Sequence, residues 1–184
     1  SDAMSSRNDH TQRAAARLAA AVMGRAGGPA FGGFKVGDTL PPLSTYNLEG
    51  ALPNTQNQVV LLDFWASWCG PCKQSFPEIE RLFREYKGRG LTVIAVSVDE
   101  DRAAMQKFLE SHGVSFPVAW DRTQALVAMA EPAAMPTSLL IDRAGRIRFV
   151  HNGFGGEETV NALKAEIESL LQEPPAERQP ETSS

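Results

Sequence analysis

The sequence predicts an α/β domain with a central mixed β-sheet flanked by helices. Three observations carry this. Two continuous apolar runs rich in β-formers, "VVLLDFWA" (59–66) and "LTVIAVSV" (91–98), suit strands buried on both faces. Between them Phe76, Ile79, Leu82, Phe83 and Tyr86 recur at helical spacing, which makes a βαβ unit. Further on, "TSLLID" and "RIRFVH" flank the turn "RAGR", an antiparallel hairpin that closes the sheet.

The elements follow in order from Val36. Gly88 and Gly90 end the first helix after its apolar stripe. A second helix is expected where Met105, Phe108 and Leu109 share one face, behind the acidic start "DED" (99–101) and ahead of a stop at Gly113. "FPVAW" (116–120) offers a short strand and residues 123–130 a short helix. Val160, Leu163, Ile167, Leu170 and Leu171 stripe the last helix, which must lie over one face of the sheet. The domain is therefore expected over residues 36–171. Residues 1–35 read as an N-terminal extension, flexible or briefly helical, in which Ser1-Asp2-Ala3 resembles a cloning remnant. Its run "AAARLAAAVM" (14–23) reads as a remnant of a signal or anchor, or as a frayed amphipathic helix stopped by "GRAGGPAFGG"; the second reading is favoured. Residues 172–184 are expected to be a disordered tail, since "EPPAERQPETSS" has no aliphatic side chain larger than Ala.

At 184 residues and 42% hydrophobic content the chain can fill one core, so a single domain is the default. A formal net charge of −4, with Lys and Arg scattered, argues against a phosphate-binding surface and so against nucleic acid. No apolar run approaches the roughly 18 residues that a spanning helix requires, and no stable membrane insertion is expected. A soluble monomer is the expected form.

The chain has two cysteines, Cys69 and Cys72, three positions apart. A structural zinc needs four ligands, and His10, His112 and His151 lie at no ligand-like spacing from the thiols or from each other. Each histidine reads as a surface or helix-end residue, and no metal is expected. An inert crosslink is poorly placed, because so short a loop constrains the unfolded chain little. A redox centre has a mechanism. A cysteine at a helix N-terminus feels the partial positive charge of unpaired backbone N–H groups, which stabilises its thiolate. Cys69 holds that position, Cys72 lies one turn on within its reach, and Pro71 fits a first turn where its missing N–H costs nothing.

"DFWASWCGPCK" (63–73) resembles the active-site signature of thioredoxins, and "MPTSLLIDRAGRI" (135–147) resembles the segment that holds their cis-proline. The insertion between Val98 and Pro136, with its hairpin, is similar to TlpA-type thiol:disulfide reductases. The resemblance covers about residues 36–171. It implies a thioredoxin-like fold and reduction of protein disulfides by dithiol–disulfide exchange. Cys69 then matches the nucleophile, and Cys72 the resolving cysteine that releases the reduced substrate. Asp63 matches the buried acid that exchanges a proton with Cys72; a solvated strand aspartate is the alternative. Trp68 matches the aromatic shield of the site. Pro136 matches the cis-proline that brings the backbone of Met135 beside the disulfide, so that an extended substrate pairs with it. Gly70, Pro71 and Thr137 complete the implied substrate surface. The redox-active disulfide needs no cofactor, and the implied partners are protein disulfides and an upstream electron-donor reductase. The implied location is the bacterial periplasm, free or anchored to the membrane and facing it, with the cytoplasm as alternative.

Many membrane-side relatives of the TlpA type carry a glutamate three residues after the second cysteine and an amide at the position of Asp63. Here Ser75 and Asp63 stand instead, so the proton chemistry is expected to follow thioredoxin rather than a narrow role in cytochrome c maturation. Glu131, before the proline loop, is a candidate substitute for that glutamate, with a solvated loop carboxylate as the favoured reading. The Gly70-Pro71 dipeptide leans toward the reducing end of the potential scale. A peroxiredoxin would need an upstream Pro and Thr that "WASWC" lacks, and a copper-delivery protein a wider thiol spacing with a nearby His. A rival of another class is a non-catalytic binding module that uses the same fold to hold a partner strand.

Overall fold

The computed structural model describes residues 33–176. Five strands form one sheet in the order β3-β2-β1-β4-β5: β1 Val59–Trp65, β2 Leu91–Ser97, β3 Val118–Trp120, β4 Thr137–Ile141 and β5 Ile147–Asn152. β1 pairs with β2 in parallel and with β4 antiparallel, β3 is parallel to β2, and β4 and β5 form the antiparallel hairpin. The expected mixed sheet is thus present. At the hairpin turn Gly145 takes φ +86°, where a side chain would be strained, while the Asp142 carboxylate accepts the N–H groups of Ala144 and Arg146.

Among the described residues four α-helices accompany the sheet: α1 Gly70–Tyr86, α2 Arg102–Ser111, α3 Ala125–Ala130 and α4 Glu157–Gln172. Side chains alternate along β1, yet all seven of its residues are buried, because both faces are covered. The ring of Trp65 lies 4.7 Å from Phe76 of α1 and 5.0 Å from Phe108 of α2. Leu61 and Asp63 share the face of Trp65, so they too lie on the α1 and α2 side. Two successive right-handed crossovers stepping the same way along the sheet require that shared face. α4 joins α1 there, with the Tyr86 hydroxyl donating to Glu168 at 2.9 Å. Val60, Leu62 and Phe64 face the other way, which leaves α3 and the chain ahead of β1 to cover them.

The third helix starts at Ala125, later than the sequence suggests. Gln124 sits in the left-handed region at φ +61° and cannot belong to the helix. The cap comes instead from Asp121, whose buried carboxylate accepts the N–H groups of Leu126 (3.3 Å) and Val127 (2.8 Å).

Ahead of β1 the chain forms a strap. Gly37 donates to Ile147 O and Ile147 donates to Asp38 O at the start of β5, while Glu49 and Trp120 of β3 exchange two backbone hydrogen bonds. Leu40, Leu43, Tyr46 and Leu48 pack against the core between these points. Upstream, Phe34 N–H donates to Ala130 O at the end of α3. The expectations for residues 14–23 and for the last residues of the tail lie outside the described residues.

Candidate active site

β1 delivers the chain to Trp65 at one end of the sheet, where a turn must form before α1 can begin. In that turn Cys69 N–H donates to Ala66 O at 3.1 Å, and Cys69 becomes the N-cap of α1 with extended backbone. Cys72 N–H points at Cys69 Sγ from 3.3 Å, and the two cysteines form a disulfide with Cα atoms 5.3 Å apart. Gly70 and Pro71 occupy the first two helical positions and are exposed. A Cβ placed on Gly70 would meet nothing within 4 Å, so the site opens to solvent on that side. Cys69 keeps 4% exposure and Cys72 none, which makes Cys69 the less deeply buried of the two cysteines. Trp68, half-buried, packs against the core beside them.

Asp63 is fully buried on the α1-facing side of β1. Opposite it on β4, Ser138 donates its hydroxyl to Oδ1 at 2.8 Å, whereas Oδ2 has no partner. Burial pushes this carboxyl up to about 7, the Ser138 hydrogen bond opposing the shift. A group of that kind can take up or release a proton near neutrality. The solvated-aspartate alternative does not fit a side chain with no exposure. Trp65 Nε1, two residues on and on the same face, also lacks a partner.

The proline loop arrives at the same end of the sheet, since Thr137 at the head of β4 pairs with Phe64 near the end of β1. The Met135–Pro136 peptide is cis. Gly153 N–H donates to Pro136 O at 2.7 Å, and the Thr137 hydroxyl lies 2.7 Å from Ala134 O and 3.1 Å from Asn152 Oδ1. Pro136 and Thr137 are buried and Met135 is half-buried. Thr137 therefore directs its hydroxyl into the loop and shapes it from within. Ser75, also buried, donates to Cys72 O at 3.0 Å. Glu131 is exposed just past α3. His112 stacks on Phe108, and His151 Nε2 lies 2.7 Å from Glu166. Among the described residues no three His, Cys, Asp or Glu side chains gather in a way that could hold a metal.

One part of the site escapes sequence reasoning. Asp99, read above as part of the acidic start of a helix, turns inward and is 1% exposed, while Asp101 caps α2 through Ala103 N–H. The Asp99 carboxylate receives hydrogen bonds from Ser67, in the turn between β1 and α1. Its available signal was position, an acid directly after the apolar run that ends beside the "WASWC" turn.

The Redoxin family profile matches residues 35–167. The thiol-disulfide oxidoreductase ResA of Bacillus thuringiensis (strain Al Hakam) is 32% identical over 139 residues, 74% of this chain and 79% of the relative. Among solved structures, a candidate thiol:disulfide interchange protein DsbE from Chlorobium tepidum aligns with a TM-score of 0.66 at 35% identity, over 75% of this chain and 99% of that one. StoA from Bacillus subtilis, at 23% identity and a TM-score of 0.53 over 61% of this chain and 85% of that one, shares the fold. A profile that takes in every strand of the sheet, and relatives that share a third of their residues over the same stretch, place the chain in the Redoxin family as a thioredoxin-like thiol-disulfide oxidoreductase.

Proposed function

We propose that this enzyme reduces disulfides of other proteins, with Cys69 attacking, Cys72 resolving and Asp63 moving the proton between the two steps. The observation that carries the assignment is the disulfide at the head of α1, formed between the N-cap residue Cys69 and the fully buried Cys72. In the dithiol form, the Cys69 thiolate attacks one sulfur of the substrate disulfide. That bond breaks, the other substrate sulfur leaves as a thiolate and takes a proton, and a mixed disulfide remains on Cys69. Cys72 then passes its proton to a carboxylate and attacks Cys69 Sγ. The second substrate thiolate leaves, and the Cys69–Cys72 disulfide holds the oxidised state until a donor reductase returns two electrons. Asp63 suits the proton transfer because its carboxyl titrates near neutrality on the face beneath α1.

An extended substrate segment would lie along the backbone of Met135, between Trp68, Gly70 and Pro71 on one side and Pro136 on the other, while Thr137 holds the loop. The redox group is the cysteine pair itself. Similarity to ResA and DsbE-type proteins supports action outside the cytoplasm, and the location proposed is the bacterial periplasm. No described helix is long and apolar enough to cross a membrane. Two measurements test the proposal: turnover of a protein disulfide substrate with a chemical dithiol as donor, and capture by the Cys72→Ser variant. Multiple turnover and a substrate covalently attached to Cys69 are expected. Complex formation with the substrate disulfide left intact would make the protein a binding module and overturn the assignment.

A further inference from the structure

When the Cys69–Cys72 disulfide is reduced, the cross-link that fixes the Cys69 sulfur to α1 disappears, and the backbone of the turn alone sets where that sulfur lies against the helix N-terminus. Ser67, two residues earlier, donates its N–H to both oxygens of Asp99 (3.1 and 3.0 Å) and its hydroxyl to Oδ1 (2.6 Å). The Ser97 hydroxyl takes Oδ2 at 2.7 Å, so both carboxylate oxygens are engaged. Asp99 is held in turn by its backbone: its N–H donates to Ser97 Oγ at 3.1 Å, and its carbonyl accepts Trp120 Nε1 at 2.7 Å. The turn after β1 and the end of β2 thereby meet on the Asp99 carboxylate, and the end of β3 meets the same residue at its backbone carbonyl. Hydrogen bonds to an ionised group are roughly twice as strong as neutral ones, and an unpaired buried carboxylate is costly. The arrangement is thus stiff, and it fails as a unit if one partner is removed.

We propose that Asp99 is a positioning residue for the exchange reaction, acting through Ser67 to hold the 66–69 turn so that the reduced Cys69 stays in contact with the N–H groups of α1. Its effect on chemistry follows from the position of the thiolate: a turn that drifts takes the sulfur away from the positive end of the helix and raises its pKa. The proposal rests on Cys69 as the attacking thiol.

The test uses the reduced full chain and the variants Ser67→Ala, Ser67→Thr, Asp99→Asn and Ser67→Ala/Asp99→Asn. The readouts are the pH dependence of iodoacetamide alkylation mapped to Cys69, and kcat and KM for disulfide reduction. Ser67→Ala should move the alkylation midpoint upward, toward the ordinary thiol value of ~8.5, and lower kcat/KM about tenfold through kcat, as a misplaced reacting group does. Ser67→Thr, which keeps both donors, should restore both. The double variant should be no slower than Asp99→Asn alone, because the two residues act as one pair. A lowered melting temperature with an unmoved midpoint and unchanged kcat would make the network structural only and overturn the proposal, as would a midpoint that moves down or single effects that add in full. Faster alkylation of Cys72 than of Cys69 in the unmutated protein would overturn the role of Cys69 itself, an outcome separate from the others.

Discussion

Asp63 joins two properties that pull against each other, since the burial that makes it a usable base near neutrality also makes its ionised form a burden on the fold. Its folded value of about 7 lies above the ordinary carboxyl value of ~3.9. Stability is therefore undiminished below about pH 4 and falls as pH rises, because the unfolded chain ionises first; above about pH 7 the loss is complete. Asp63→Asn keeps the shape and can still accept from Ser138. It should be no more stable than the parent at pH 3 and more stable by a few kcal/mol at pH 8 and above, as read by urea denaturation of the disulfide form across that range. In single-turnover kinetics the variant should form the mixed disulfide at the parent rate and resolve it more slowly at pH 7, the defect shrinking as pH rises and Cys72 ionises unaided. Normal resolution with no gain in alkaline stability would remove Asp63 from the mechanism. The cysteines, Trp68, Asp63 and the proline loop were legible because their signals are local strings. Asp99 was not, because its partner Ser67 lies 32 positions away and only the fold brings them together.

Elements were legible where one face does one job. The stripe read on α1 lands inside, with Phe76, Ile79, Leu82 and Tyr86 all buried. What the stripe does not reveal is how the polar side of α1 fastens the loop that leads into β3. Glu80 accepts both the N–H and the hydroxyl of Ser115, with Arg84 beside it at 2.9 Å. Burial pushes the Glu80 carboxyl up, but the hydrogen bonds from Ser115 and Arg84 outweigh it and hold the group below its ordinary range. Stability from this latch is present above the unfolded value of ~4.3 and is lost as pH falls through the folded one. Glu80→Gln should destabilise the protein by about 1–2 kcal/mol at pH 7 and by little at pH 3, with disulfide reductase activity at the permissive temperature unchanged. Equal melting temperatures at pH 7 would show that the latch contributes nothing. The start of α3 resisted prediction for a similar reason: the capping carboxylate, Asp121, is supplied from outside the helix by the end of β3.

At the scale of the molecule, the alternation of strand and helix was enough to announce a mixed sheet, since two long apolar runs suit strands buried on both faces and a hairpin brings antiparallel pairing. The strap had no such signature, because its backbone partners lie on β3 and beside β5, about 70 and 110 residues further along the chain. It touches both borders of the sheet, Arg146 beside β5 through Thr39 and Trp120 of β3 through Glu49. Unpaired strand borders are templates for other chains, so a single stretch of backbone acts as a hem on both sides of this sheet. A protease cut within residues 41–48 would loosen both hems at once while leaving the Cys69–Cys72 centre chemically untouched. The nicked protein should self-associate on warming, seen as a rise in light scattering that the intact chain does not show, and a nicked form that stays monodisperse would mean that the two borders protect themselves. Solubility and catalysis would then reside in different parts of one small sheet, the first in its selvedge and the second at one end of its central strands.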